Sequence, residues 1–366
     1  GYTPLTQTVT VLDGSTVAVP YYIAAGTTSQ KSLVQALIDH KKTEKLRTDL
    51  DALADAYMDS GATHATRNQA YARRIALALY EWGKYVPKYF MTALNDPVLI
   101  SGGLNYMASA NIHRCSARNG FGEELNQREL LAFDAIYDSP ALAALSTELG
   151  LDVRESVRTN VFGNMGDFFV KHMTPVVASS GTNLPGATQV LAKIARVLNR
   201  PDYLPWLDGY FDAVVSNRLN REGTILESLG YSINYIRTVK TGVGDATNYF
   251  LTRPADTQAL VDTQSHLNGY SDFLQQGINS FFPISVPNGQ FPAFGDTTDQ
   301  GFFLASTTPK TSNAGSSGVM GAYGAVSLGA GTGSSSIQLN QMAAGDENHK
   351  RSDTAAFVLY AFSNEI

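Results

Sequence analysis

Thr354-Ala355-Ala356-Phe357-Val358-Leu359-Tyr360-Ala361-Phe362 is a short apolar and aromatic run only four residues from Ile366. Its length and side chains read as a buried β-strand. One strand cannot bury itself, so it needs neighbours. Thr307 to Gly345 just upstream is rich in Gly, Ser, Ala and Thr and almost free of charge, a composition that loses helix propensity. The two stretches together read as the opening strands of a β-domain. Further upstream the pattern is different. From Lys31 to about Phe282 apolar residues recur three and four apart, as in Leu33, Leu37, Leu46, Leu50 and Leu53, and again in Leu77 and Tyr80, which is helical spacing. Helical segments follow at Glu124 to Tyr137, Ala141 to Leu149, Phe162 to Ala178, Ala187 to Leu198, Tyr203 to Leu219 and Asp256 to Leu274. Gly, Pro and Asn punctuate them, giving about ten helices in hairpin-like succession. Each helix then buries one face against its neighbours, as a solenoid or as a closed ring of hairpins. No fixed-period repeat is visible, which argues against the solenoid. The first thirty residues alternate apolar and polar through Thr8 to Leu12 and Thr16 to Pro20 around Gly14, the signature of a hairpin. The expected organisation is a hairpin extension over 1–30, a helical domain over 31–305 and the beginning of a β-domain over 306–366.

With 366 residues, 43% of them hydrophobic, the chain has enough apolar surface for a large core, and a disordered chain is excluded. Charged residues are only 16%, against about 25% in an ordinary globular protein, so loops rich in the 32 Gly and 14 Pro are expected. A formal net charge of -6 argues against nucleic acid as a partner, and any anionic ligand must meet a local basic groove. The single cysteine, Cys115, removes disulfide frameworks and multi-cysteine metal sites. No apolar run reaches the roughly 18 residues of a membrane span, and no signal peptide stands at the start. Gly1-Tyr2-Thr3-Pro4 lacks Met, which reads as a processed or trimmed N-terminus.

His-Glu-x-x-His, a Gly-Lys-Ser/Thr loop and the Gly-x-Ser-x-Gly elbow are all missing. Gly329-Ala330-Gly331-Thr332-Gly333 lies in a Ser/Gly tract with no helix after it, so it reads as a loop rather than a phosphate cradle. Three stretches remain. In Arg221-Glu222-Gly223-Thr224-Ile225-Leu226-Glu227-Ser228-Leu229-Gly230-Tyr231-Ser232-Ile233-Asn234-Tyr235, two tyrosines four apart share a helical face beside Glu227 and near Arg218, Arg221 and Arg237. Tyrosines packed at a helix interface beside solvated arginines would give the same pattern. Asn288-Gly289-Gln290-Phe291-Pro292-Ala293-Phe294-Gly295-Asp296 is a polar turn, in itself only a loop. Asn348-His349-Lys350-Arg351-Ser352-Asp353 leads directly into the terminal strand, placing His349 and Asp353 at its entrance.

In their order and spacing these stretches resemble polysaccharide lyases of the heparinase II/III-like and related alginate lyase group. That group carries an acidic-Gly…Glu…Tyr segment, a Pro-x-x-Gly-Asp segment and a His-x-His-x-Asp segment opening the β-domain, and the resemblance covers roughly residues 120 to 366. It implies a mainly α fold: an incomplete (α/α) toroid of helical hairpins followed by the start of an antiparallel β-sandwich. It also implies eliminative cleavage of a uronate-containing polysaccharide, alginate first and glycosaminoglycan second, by a secreted or periplasmic enzyme. By the same resemblance Tyr231 is the catalytic tyrosine and His349 the first histidine of the His-x-His-x-Asp segment. The carboxylate-neutralising Asn is matched by Asn164 in Phe162-Gly163-Asn164-Met165-Gly166-Asp167. Met165 replaces the histidine of an Asn-His pair, and His172 is the substitute candidate. Arg351 stands where many relatives carry a second histidine, a metal ligand in some of them. No cofactor is required, no metal ligand set is assigned, and the structural divalent metal of some relatives has lost that ligand. A second polypeptide completing the β-domain is a further expected partner.

Such lyases remove the C5 proton beside a carboxylate and expel the C4 oxygen. Donors on the carboxylate stabilise the charge that develops there, a role for the Asn164 amide and an arginine. Tyr231 suits protonation of the leaving oxygen and could also be the base for syn elimination, whereas His349 would be the base for the opposite stereochemistry. The polyanion needs a basic groove, with Arg114, Arg118, Arg218, Arg221 and Arg237 as candidates because the guanidinium fork holds carboxylate bidentately. Glu227 and Tyr235 join them as substrate-binding candidates, and Trp82 and Trp206 could stack on sugar rings. Two rival readings stand beside the lyase. One is a glycoside hydrolase built on two carboxylates drawn from Asp208, Asp212, Glu222 and Glu227. The other is a glycan-binding protein without chemistry.

Overall fold

The structure, a computed structural model, describes residues 3–10, 16–23, 31–32, 34–84, 86, 91–92, 115–116, 127–172, 174–175, 185–225, 229–285, 315, 317–343, 354–361 and 364–365. Its contacts divide the chain into two units, Gly1–Tyr210 with Asn248–Leu260, and Phe211–Thr247 with Val261–Ile366.

In the first unit, β1 (Thr3–Thr10) pairs antiparallel with β2 (Thr16–Ile23), Thr3 opposite Ile23 and Thr10 opposite Thr16, and β3 (Lys31–Ser32) adds to β2. The helices then begin with α1 (Val34–Asp59) and α2 (Gln69–Gly83). After the two-residue pair β4 (Met91–Thr92) and β5 (Cys115–Ser116) come α3 (Gln127–Ile136) and α4 (Pro140–Leu149). Local chemistry sets the helix starts. The Asn68 side chain accepts from the Ala70 N–H at 3.0 Å, and Ser139 Oγ accepts from the Ala141 N–H at 3.2 Å with Pro140 at the first turn; each such cap is worth about 1 kcal/mol. One side chain joins the two caps: Ser139 Oγ donates to Gln69 Oε1 at 2.6 Å. α1 packs on α2 and α3, and α2 on α4. Leu50, Tyr57, Ile75, Leu79, Phe133 and Leu145 are completely buried between them, each contributing about 1.5–3 kcal/mol by leaving water.

α5 (Val153–Val157) passes through a π-helical turn, Arg158–Gly163, into α6 (Asn164–His172). The segment expected to begin an ordinary helix at Phe162 therefore starts wider, because six residues take the i→i+5 pattern. α7 (Pro185–Leu198), a 3₁₀ turn at Pro201–Tyr203 and α8 (Leu204–Asn217) follow. α9 (Leu229–Thr247) leads through a 3₁₀ turn at Asn248–Leu251 to α10 (Gln258–Ser280). α10 outlasts its expected end at Leu274, since Gly277 and Ile278 are also buried.

The second unit adds a five-stranded antiparallel sheet to α9 and to most of α10. Its strands are β6 (Gly318–Met320), β7 (Ala325–Ala330), β8 (Ile337–Ala343), β9 (Thr354–Ala361) and β10 (Asn364–Glu365), in the spatial order β10-β9-β8-β7-β6. Gly329-Ala330-Gly331-Thr332-Gly333 is thus the end of β7 and its turn into β8, and Gly331 takes φ +81° there, a conformation that glycine adopts at no steric cost. Buried polar residues tie the sheet to the end of α10: Gln338 is fully buried and its Nε2 donates to Ser285 O at 2.8 Å and to Asn340 Oδ1 at 3.1 Å. The terminal strand differs from its expected state. β9 keeps Tyr360 and Ala361 buried, but Phe357 is 71% exposed. The register puts Phe357 beside Gln341 and Val326 on the outer face of the sheet, where Val319 and Leu328 are exposed as well. Both faces of β9 carry apolar residues, so its composition concealed which face lies inside. The fold class is as expected, mainly α with helical hairpins succeeded by an antiparallel sheet. No described helix is long and apolar enough to cross a membrane.

In the second unit Gly223, in the loop before α9, and Gly277 of α10 pack backbone against backbone. A Cβ on Gly223 would stand 2.8 Å from Gly277 Cα, and one on Gly277 would meet the Gly223 carbonyl oxygen. Gly277→Ala is expected to lower stability by about 2 kcal/mol through overpacking, outweighing the helix propensity gain of about 1 kcal/mol. Urea unfolding checks this; a midpoint at or above that of the parent would show that the two backbones are not in contact.

Candidate active site

Two clusters of candidate residues are described, one in each unit. In the first unit Asn164 opens α6 directly after the π turn, a local widening found often at functional positions. Its Nδ2 donates to Asn160 O at 3.2 Å. A carbonyl can only accept, so the atom facing it is the amide nitrogen, whose second N–H has no partner among the described residues. Met165 is buried, at 2% exposure, so position 165 faces the core and suits an apolar side chain. His172 is the last residue of α6, two turns beyond Asn164.

One turn after Asn164, Asp167 accepts on one oxygen from Arg200 Nη2 and from the Tyr203 hydroxyl, both at 2.7 Å. Arg200 also clamps Asp202 with two bonds, Nε to Oδ1 at 2.8 Å and Nη2 to Oδ2 at 2.6 Å, and its guanidinium lies 4.3 Å from the centre of the Tyr203 ring. Burial, reinforced by the hydrogen bond to Asp167, pushes the Tyr203 phenol far above its ordinary value. The bond to Arg200 holds Asp202 below the usual carboxylate range. Tyr203 is therefore a neutral donor that pins α6 to the 3₁₀ turn. Sequence reasoning missed this network: Arg200-Pro201-Asp202-Tyr203 is an ordinary polar stretch, and its partner lies 33 residues upstream.

In the second unit α9 presents Tyr231, Asn234, Thr238 and Thr241 at helical spacing on its outer side, while Ile233, Ile236, Val239 and Val243 on its inner side are fully buried. Tyr231 is 44% exposed at the start of the helix. Tyr235, four residues on, is buried at 5% exposure, so the two rings lie on different sides of the boundary between surface and core. Arg237 is half-buried at the flank of the outer side. Its Nη2 is buried and has no hydrogen-bond partner among the described residues, and burial lowers its pKa from the ordinary guanidinium value. A buried cationic donor left unpaired is costly, and an anion arriving there would relieve the cost.

The loop leading to Tyr231 is held by its own side chains. Asn220 Oδ1 accepts from the N–H groups of Glu222 at 2.9 Å and Thr224 at 3.2 Å, an Asx-type turn. The Glu222 carboxylate accepts from the N–H groups of Ala322 at 2.9 Å and Tyr323 at 3.2 Å, in the turn between β6 and β7. Arg218 is half-buried and Arg221 exposed in the same loop. Glu222 is thereby occupied as a structural acceptor, which weakens its claim to be one of a hydrolase's two carboxylates. Trp82 and Trp206 are buried at 6% and 8% exposure, the latter stacked on Tyr210 at 5.9 Å, so neither offers a face to a sugar. His349, Glu227, Arg114 and Arg118 lie outside the described residues. No three His, Cys, Asp or Glu side chains among the described residues come together as a metal site.

No protein-family profile and no curated protein sequence matches the chain. Solved structures do. The heparan sulfate lyase HepC from Pedobacter heparinus matches with a TM-score of 0.56 at 18% identity, over 88% of this chain and 48% of that one. A heparinase III gene product with methylated lysines matches with a TM-score of 0.51 at 13% identity, over 87% of this chain and 49% of the other. A further structure of that heparinase III gene product gives 0.50 at 13% identity, over 86% and 49%. The chain has the fold of the heparinase-like polysaccharide lyases and spans about half the length of the solved structures it matches.

The Asp167 network yields a prediction with a defined sign. The raised Tyr203 pKa means that the phenol's contribution to stability is fully present below the unfolded value of about 10 and is lost as pH rises through the still higher folded value. Asp167→Ala is expected to cost about 1.5–3 kcal/mol at neutral pH, because Tyr203 and Arg200 lose their shared acceptor, and to flatten the alkaline loss. Unfolding curves across neutral and alkaline pH check both; a variant whose alkaline loss equals the parent's would remove Asp167 from the account of Tyr203.

Proposed function

We propose that this protein is a polysaccharide lyase that cleaves a uronate-containing polysaccharide by β-elimination. The observation that carries the reading is α9, where an exposed tyrosine, Tyr231, precedes by less than two turns a guanidinium with a buried, unpaired nitrogen, Arg237, in a chain with the heparinase-like fold. A glycosaminoglycan of the heparan type stands ahead of alginate as substrate, because the solved structures of similar fold are a heparan sulfate lyase and a heparinase. A polymer of that size is met outside the cytoplasm, which suits a secreted or periplasmic enzyme.

The chemistry divides among this chain's residues. The Arg237 guanidinium supplies donors to the uronate carboxylate, stabilising the charge that develops as the C5–H bond breaks. A base takes that proton, with His349 as the candidate; in a syn elimination Tyr231 itself takes it. The electron pair of the C5–H bond becomes the C4–C5 double bond, the C4–O bond breaks, and the departing oxygen takes a proton from the Tyr231 hydroxyl. No water is consumed, and one product ends in an unsaturated uronate.

Incubation with heparan sulfate and with alginate, followed by ultraviolet absorbance of the product, is the direct test. Tyr231→Phe is expected to lower turnover by about 10²- to 10⁴-fold with the fold retained, since the ring stays in place on the surface of α9. Arg237→Gln is expected to lower kcat/KM about tenfold, with the loss falling on kcat at least as much as on KM, since the charge it meets develops in the transition state. Polymer cut without an unsaturated chromophore would replace the lyase by a hydrolase. Binding without turnover of any uronate polymer would replace it by a glycan-binding protein.

A further inference from the structure

A cleft of about 340 Å³ in the first unit is lined by the C-terminal half of α3, the C-terminal half of α7 and the turn after Asn248–Leu251. None of the residues assigned to the elimination lines it. Its rim carries three cationic side chains, Lys193, Arg196 and Arg253, against one carboxylate, Asp134, on a chain whose overall charge is negative. This local excess of positive charge is therefore a property of the site. Arg196 is exposed and makes no ion pair among the described residues. Arg253 makes no ion pair among the described residues and is held in place by other contacts: its guanidinium lies 5.0 Å from the centre of the Tyr249 ring, its Nη1 donates to Thr252 Oγ1 at 3.3 Å, and the Tyr249 hydroxyl donates in turn to Asn199 Oδ1 at 3.0 Å.

The remainder of the lining is apolar and aromatic. Leu131 is 54% exposed on α3, a large apolar side chain turned outward on a helix whose other leucine at this point, Leu130, is buried. Tyr137 closes α3, with Phe133 set edge-on against it at 5.5 Å and Arg154 lying 4.7 Å from its ring centre. These contacts fix the ring as a wall of the cleft. A concave site of a few hundred Å³ that combines an apolar floor with a few convergent charged groups has the makeup of a small-ligand site. Cations at the rim select an anion, and Arg binds carboxylate or sulfate through paired N–H groups. The leucine and tyrosine suit the apolar C–H face of a sugar ring. Inorganic anions lack that face and would leave Leu131 in water.

We propose that this cleft is a second binding site, taking a carboxylated or sulfated saccharide unit of an acidic glycan. Arg196 and Arg253 hold its anionic groups, and Leu131 with Tyr137 contacts the ring. Such a site would keep a long polymer attached while another stretch of it is processed, but the proposal concerns binding alone and stands whether or not the chain is a lyase. The test uses the whole protein carrying Tyr231→Phe, so that turnover does not deplete the ligand, with a heparin-derived tetrasaccharide as probe and maltotetraose as the neutral control. Hydrogen exchange is expected to show protection of 128–137, 193–198 and 248–253 by the tetrasaccharide and none by maltotetraose. Adding Arg196→Glu and Arg253→Glu is expected to abolish that protection and to weaken calorimetric binding at this site by at least about tenfold, reversing two charges at an anion site. Tetrasaccharide binding that protects only other segments, or equal protection by maltotetraose, overturns the proposal. The exchange pattern of the parent protein decides the matter even if the doubly substituted protein does not fold. Protection here with no lysis of any polymer would sink the lyase reading and leave this site standing.

Discussion

Within the second unit, the Glu222 carboxylate and the two N–H groups it binds in the β6–β7 turn govern the placing of everything else that bears on function. Backbone N–H groups in a turn that are buried without an acceptor would cost several kcal/mol together, and Glu222 meets Ala322 and Tyr323 across 100 residues of sequence. The same loop threads Gly223 against Gly277. Between these two points the segment 220–224 is held on both sides, and Tyr231 stands in the first turn of α9. The inner side of α9, packed with isoleucine and valine, then sets which way the phenol turns.

The first unit reaches a comparable rigidity by other means. A single carboxylate oxygen, that of Asp167, receives both an arginine and a tyrosine hydroxyl, and the arginine is itself stacked on the tyrosine. Charge-assisted bonds of this kind are stronger than neutral ones, and they sit one helical turn from Asn164. The amide of Asn164 is in turn oriented by Asn160 through the π turn.

Charge follows the same logic on a larger scale. An acidic chain meets an acidic polymer only where cations are grouped, and the described residues group them at the flank of α9 and around the cleft of α3 and α7. At the flank of α9 Arg237 is half-buried, and at the cleft Arg253 lies against the Tyr249 ring; neither makes an ion pair among the described residues. A guanidinium neutralised by Asp or Glu would have little left for a sugar acid.

The order of elements was legible in the chain itself, because helical spacing and strand composition are local properties: hairpin, helices in succession, then strands. Tyr231 was nominated by the resemblance of three stretches to a lyase group, and the arginines around it by residue type and nearness in the chain. Burial decided the rest. Tyr231 and Tyr235 look equivalent in sequence, and only the packing of α9 turns one outward and the other into the core. Trp82 and Trp206 left the list of sugar contacts for the same reason. Phe357 and Tyr360 sit in one apolar run, and only pairing with β8 assigns one to the outer face and the other to the interior. The Asp167–Arg200–Tyr203 network, the Glu222 clamp and the cationic cleft each join residues tens to a hundred positions apart, and no local pattern encodes a contact that exists only after the chain has folded back on itself.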